Sequence, residues 1–225
     1  MTVEVRSVEG FDQVRFIGPG ILKIKQRDKE SLTIHAPSYV MKDIVSEVSG
    51  GVLSVGYRSP KIVSLRVHRE VISYSLSLRD LRKLRVTGIG RVQIPDLDND
   101  QVRIEVSGVG QVALDRLTAD RLDVVINGNG VVRASGDVEA QSVVIAGAGH
   151  YHAEPLISDF GHVKVSGAGK ADVSVSDELE VIVSDAGRVT YGGYPDILKR
   201  VSGAGKLSRR RRSGRYQANG EEDHG

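Results

Sequence analysis

The segment GHYHAEP, residues 149–155, sets His150, His152 and Glu154 at alternate positions. On an extended strand alternate side chains share a face, so with Tyr151 pointing inward the two imidazoles and the carboxylate face outward together. Asp172 lies 20 residues beyond His152 and falls beside it if the chain repeats at that interval. Two imidazoles with carboxylates are a ligand set that suits zinc. The same residues also fit an ordinary hydrated surface, and no cofactor is expected. His35, His68, His162 and His224 are scattered and suggest no site.

Two further patterns recur down the chain. Arg91, Gln111, Val131, His150, Lys170, Arg188 and Lys206 each follow the second glycine of a glycine-x-glycine step or its near-copy. Facing solvent, they form a basic stripe with one apolar break at Val131. Summed attraction along such a stripe suits an anionic polymer such as an acidic polysaccharide. Charges on exposed strands also simply discourage sheets from pairing. The second pattern is acidic: Asp100, Asp120, Glu139, Asp159, Asp177 and Asp196 lie eight to ten residues after successive steps. A calcium ladder there needs six to eight converging oxygens, and Arg116 and Arg121 are close enough in sequence to neutralise the corner instead.

The elements that position these residues are written in a repeat. The steps read VTGIG, VSGVG, INGNG, IAGAG, VSGAG, VSDAG and VSGAG, beginning at 86, 106, 126, 145, 165, 183 and 201, with spacings of 20, 20, 19, 20, 18 and 18 residues. A fixed period of this length marks a repeat architecture. Apolar columns align on the steps: Val86, Val106, Ile126, Ile145, Val165, Val183 and Val201 two residues before the first glycine, and Ile89, Val109, Asn129, Ala148, Ala168, Ala186 and Ala204 between the glycines. A further column, Leu97, Leu117, Val138, Leu156 and Val175, marks another wall. A repeat this short buries its apolar face only by stacking on its neighbours. The expected fold is therefore all-β, a parallel β-helix (β-solenoid) of about seven rungs spaced about 4.8 Å apart. Gly88, Gly90, Gly108, Gly110, Gly128, Gly130, Gly147, Gly149, Gly167, Gly169, Gly187, Gly203 and Gly205 sit at one corner of the rungs, where positive φ or close stacking excludes a side chain. Ser, Thr or Asn before the corner, as at Ser107 and Ser166, is placed to bond from rung to rung.

Residues 84–207 carry the repeats. Residues 1–83 read as alternating strands continuous with the solenoid, contributing a cap or further rungs. Val14, Phe16, Leu22 and Ile24 flank a Gly-Pro-Gly turn, Gly50-Gly51 signals a hairpin, and SYVMKDI is the best short helix. RSPKIVS from Arg58 reads as a connection. Residues 208–225, polar and charged, are expected to be disordered.

Bulk properties narrow the function. Lys and Arg total 31 against 29 Asp and Glu, which gives no general case for nucleic acid. There are no cysteines, so disulfides and thiolate metal sites are excluded. No apolar run is long enough for a transmembrane segment, and MTVEVRSVEGFDQ lacks the apolar core of a signal peptide, so a cytoplasmic location is open. Glycoside hydrolysis needs two carboxylates at a set separation in a groove. The acidic residues here are periodic rather than singular, so a polysaccharide lyase or hydrolase is disfavoured.

The order of SVEGFDQVRFIGPGILKIKQRDKESLTIHA, tandem VSGAG rungs and YGGYPDILKRVSGAGKL resembles the bacterial family of unknown function described as putative autotransporter adhesin, head GIN domain, over roughly residues 1–208. The resemblance implies a right-handed parallel β-helix, a cell-surface or envelope location and no known catalytic residues. The expectation is a noncatalytic solenoid presenting a ribbed surface for adhesion or macromolecular binding, with self-association also open. The alternative is an intracellular assembly scaffold.

Overall fold

Between Gln101 and Gly108, buried Val102, Ile104 and Val106 alternate with outward Arg103, Glu105 and Ser107. This period of two is what a strand with one buried face requires, and it recurs along the solenoid up to the final strand Asp196–Val201, which is exposed throughout; the computed structural model describes residues 1–57 and 72–210. Strand makes up 72% and helix 2% of the described residues, which are thus nearly all-β, and the parallel strands stack as a β-solenoid of about six turns. Seven corners were expected to mean seven rungs, but seven corners enclose only six intervening turns.

Each turn has three walls. Wall A leads into the glycine corner, and its register runs Lys83, Arg103, Asp123, Ser142, His162, Glu180 and Leu198 from rung to rung. Wall B leaves the corner and aligns Arg91, Gln111, Val131, His150, Lys170, Arg188 and Lys206. Wall C is short and less regular. The single apolar column expected there is two tracks: Leu97, Leu117, Gly136 and Leu156 align, while Val138 aligns with Ser158 and Ser158 with Val175. The shorter 19-residue repeat explains this, because the register slips between Leu114 and Leu117 and again between Arg133 and Gly136.

The two glycines of a corner have different tasks. Gly128 takes φ 109°, a conformation that side chains rarely adopt. Gly130 has ordinary φ but no space, since a Cβ there would lie 2.5 Å from Cγ1 of Val106 on the preceding rung. The residue between the glycines was expected in an apolar column; it is instead at the apex and exposed, as at Ile89 and Val109. The polar position before the corner does not form a side-chain ladder among the described residues; Ser166 Oγ donates to the Ile145 carbonyl of the preceding rung at 3.3 Å.

Val, Ile and Leu fill one continuous interior. Within it Tyr151 Oη donates to Gln141 Oε1 at 3.2 Å, Gln141 Nε2 donates to Ser158 Oγ at 2.7 Å, and Ser158 Oγ donates to the Ser174 carbonyl at 3.2 Å. These buried polar groups are thus paired, as burial demands.

At the N-terminal end, chain order and stacking order differ. Gln13–Ile17 and Ile21–Gln26 do not pair with each other; they are walls A and B of one rung, turned at Gly18-Pro19-Gly20. That rung lies between the one formed by Val52–Tyr57 and Ser73–Leu78 and the one formed by Lys83–Gly88 and Arg91–Ile94. Antiparallel strands close this end. Ser31–Ala36 pairs with Ser73–Leu78 and with Thr2–Arg6, and Ile44–Ser49 pairs with Val52–Tyr57 across Gly50-Gly51. The one-turn helix Ser38–Met41 buries Val40 and Met41 against them. Arg6 ties the cap together, donating to the Ile44 carbonyl at 2.8 Å and to Ser46 Oγ at 3.0 Å.

At the other end Asp196–Val201 and Lys206–Arg209 are the last strands, so the sheet continues past 207, with Thr190 opposite Ser208 and Tyr191 opposite Arg209. The connection expected from Arg58 and most of the expected tail, residues 211–225, lie outside the described residues.

Candidate functional site

Wall B presents two outward columns. The first is the stripe aligned on Arg91, in which Arg91, Lys170, Arg188 and Lys206 are exposed and Gln111, Val131 and His150 are half-buried. The second lies two residues further along each strand: Lys23, Gln93, Ala113, Arg133, His152, Asp172, Thr190 and Ser208. Lys23 and Arg133 were not anticipated as part of the basic surface. The signal for them was present, since alternate residues of a strand must share the face.

The cations of wall B differ from those of wall A. On wall A, Glu105 gathers Lys83 at 2.9 Å, Arg85 at 2.7 Å and Arg103 at 2.8 Å. Burial alone would raise the Glu105 carboxyl, but hydrogen bonds from Arg103, Lys83 and Arg85 outweigh it and hold the pKa at about 2. Arg121 is paired with Asp123, and His162 with Glu180. Arg91, Arg133, Lys170, Arg188 and Lys206 have no ion-pair partner among the described residues. Asp172 is the one carboxylate in the two columns.

The histidine cluster sits in the middle of this wall. His150 and His152 project from one strand with ring centroids 4.1 Å apart, and Asp172 on the next rung is in register with His152. Nδ1 of His152 lies 3.2 Å from Oδ2 of Asp172. One ligand atom from each of the three residues falls within 4.8 Å of the others. Burial, with the nearby His152 and Lys170, lowers the pKa of His150 and favours its neutral form. Glu154 was expected to join them but does not. It stands past the end of the wall, exposed, and Arg210 Nη1 takes its carboxylate at 3.1 Å.

The acidic positions do not make one clean ladder either. Asp196 aligns with Glu178 rather than Asp177, because wall C shortens on that turn. No cluster of three carboxylates converges on a common point among the described residues. Several hollows mark the described surface, three of them near charged groups. Those of about 730 and 760 Å³ are lined by groups such as Arg79, Asp80, Asp98 and Arg103, without an aromatic side chain. The third, about 240 Å³ beside Phe160, holds Glu178 and the His162–Glu180 pair.

Residues 10–195 match the family described as putative auto-transporter adhesin, head GIN domain. The chain belongs to this family. Among solved structures it is similar to a putative adhesin from Bacteroides fragilis, with a TM-score of 0.82 and 23% identity over 92% of this chain and 95% of that one. It is also similar to a putative lipid binding protein from Parabacteroides distasonis (TM-score 0.74, 20% identity, 93% and 96% covered) and to a putative adhesin from Parabacteroides merdae (TM-score 0.72, 17% identity, 93% and 96% covered). At these identities the likeness carries the fold. A search of curated protein sequences finds no match. The head GIN fold thus supplies the stacked walls, while this chain's own residues decide what wall B displays. No helix among the described residues is long and apolar enough to cross a membrane.

Proposed function

We propose that this protein is a noncatalytic adhesion module that holds an acidic polysaccharide along wall B. The observation that carries the reading is the register of Arg91, Arg133, Lys170, Arg188 and Lys206 on one face without paired carboxylates. Rungs about 4.8 Å apart set Lys170, Arg188 and Lys206 within roughly 10 Å, a spacing that presents several cations to one chain of anions. Each contact is weak and screened by salt, so affinity comes from the number engaged at once. The solenoid fixes the backbone positions that carry the cations, so only their side chains have to be ordered on binding.

A carbohydrate-active enzyme is less well supported. The hollow with both an aromatic ring and paired carboxylates is about 240 Å³, below the range of about 300–1,000 Å³ common for ligand pockets, and Glu180 there is engaged by His162.

The reading is tested by titrating the protein against polygalacturonate over a range of salt. Binding should weaken steeply as salt rises, and the triple variant Lys170→Glu, Arg188→Glu, Lys206→Glu should lose at least about tenfold in affinity. Lys164→Glu with Arg200→Glu, on wall A, should change little. Equal losses from both walls, or no binding at low salt, would overturn it.

A further inference from the structure

We infer that His150, His152 and Asp172 form a binding site for a first-row divalent metal ion of the zinc class. The three side chains come from adjacent rungs of a rigid sheet, two from one strand and one from the strand hydrogen-bonded to it. Their ligand atoms already lie within 4.8 Å of one another. Tetrahedral zinc with bonds of about 2.0–2.2 Å needs its ligands roughly 3.3 Å apart, so small side-chain rotations complete the set without moving the backbone. The donor types agree with the choice of metal. Two imidazoles and one carboxylate suit zinc, nickel or copper, whereas calcium and magnesium take all-oxygen sites.

The two imidazole rings are 4.1 Å apart, flanked in register by Lys170 and Arg133. A metal ion takes one lone pair from each neutral ring. The opposing cost is that Lys170 and Arg133 repel any cation. That repulsion makes the site one of moderate affinity, with Asp172 providing the compensating charge. Three protein ligands leave a fourth position open to water or an anion. The site does not depend on the polysaccharide reading.

The experiment uses the tag-free full chain, titrated calorimetrically with Zn²⁺ alone and, separately, with Co²⁺ while the visible absorption of the coordinated ion is followed. One equivalent of metal should bind, and its affinity should fall at least about tenfold in His152→Ala and in Asp172→Asn. Glu154→Gln and His162→Ala should bind as the parent does. Saturating Zn²⁺ should raise the melting temperature of the parent and leave that of His152→Ala unchanged, which separates loss of the site from loss of folding. Absence of one-equivalent binding, or retention of full affinity in both ligand variants, would overturn the assignment.

Discussion

Asp185 stands where other rungs have the first corner glycine, and it takes φ 58°, the one positive value among the described non-glycine residues. Asp tolerates this conformation better than most residues, and here its carboxylate accepts from the Gly167 backbone N–H of the preceding rung at 3.0 Å. Asp185→Ala keeps the strain and loses the bond, so it should cost about 1–2 kcal/mol in urea melts; Asp185→Asn should cost much less. Glu105 makes a second prediction. Its carboxyl is held at about 2, below the ordinary 4.5, so its contribution to stability is present above about pH 4.5 and is lost as the pH falls toward 2. The gap in urea midpoint between the parent and Glu105→Gln should therefore be widest near neutral pH and close steadily between those limits. Some of this chemistry was legible in the sequence. His150 with His152 followed from strand alternation, and Asp172 from the 20-residue interval. Glu154 was misplaced because alternation describes a straight strand and the chain bends after Ala153. Its partner Arg210 lies three rungs away, a distance that no local pattern reports.

At the scale of the element, the corner explains why a glycine pair recurs when one glycine would satisfy the backbone angle. The second glycine makes room for the Val or Ile of the preceding rung. Gly130→Ala should cost about 1–3 kcal/mol from overpacking. Combined with Val106→Ala, which removes the opposing Cγ1, the loss should be smaller than the sum of the single losses, as a double-mutant cycle in thermal melts would register. Walls A and B were readable because each repeat restates them around an invariant turn. Wall C was readable only in part, since the changes in repeat length fall there and shift its register. The buried Gln141–Ser158–Tyr151 chain was missed for a different reason. Gln141 and Ser158 occupy inward positions, but polar residues in a periodic strand read as outward until the register fixes their direction.

Over the whole molecule, the two ends are finished differently. Hairpin and antiparallel strands cover the first end. At the last, Lys199 is in register with buried Val181, and Arg209 is in register with Tyr191 and lies over the Tyr194 ring at 3.5 Å. Charges at core positions of a final rung discourage another sheet from stacking on it. Lys199→Val with Arg209→Leu would join exposed Ile197 and Val201 into an apolar end face, and sedimentation should then show concentration-dependent association absent from the parent. The first end holds a consequence for how the molecule is made. The rung of 13–26 is synthesised before either rung that flanks it, so it has no template and waits until 52–78 and then 83–94 have arrived. Closing those contacts spans long stretches of chain and is slow. Each later rung meets a finished edge as soon as its twenty or so residues exist. During synthesis the slow closure is therefore expected at the first end, with the later rungs adding to a finished edge.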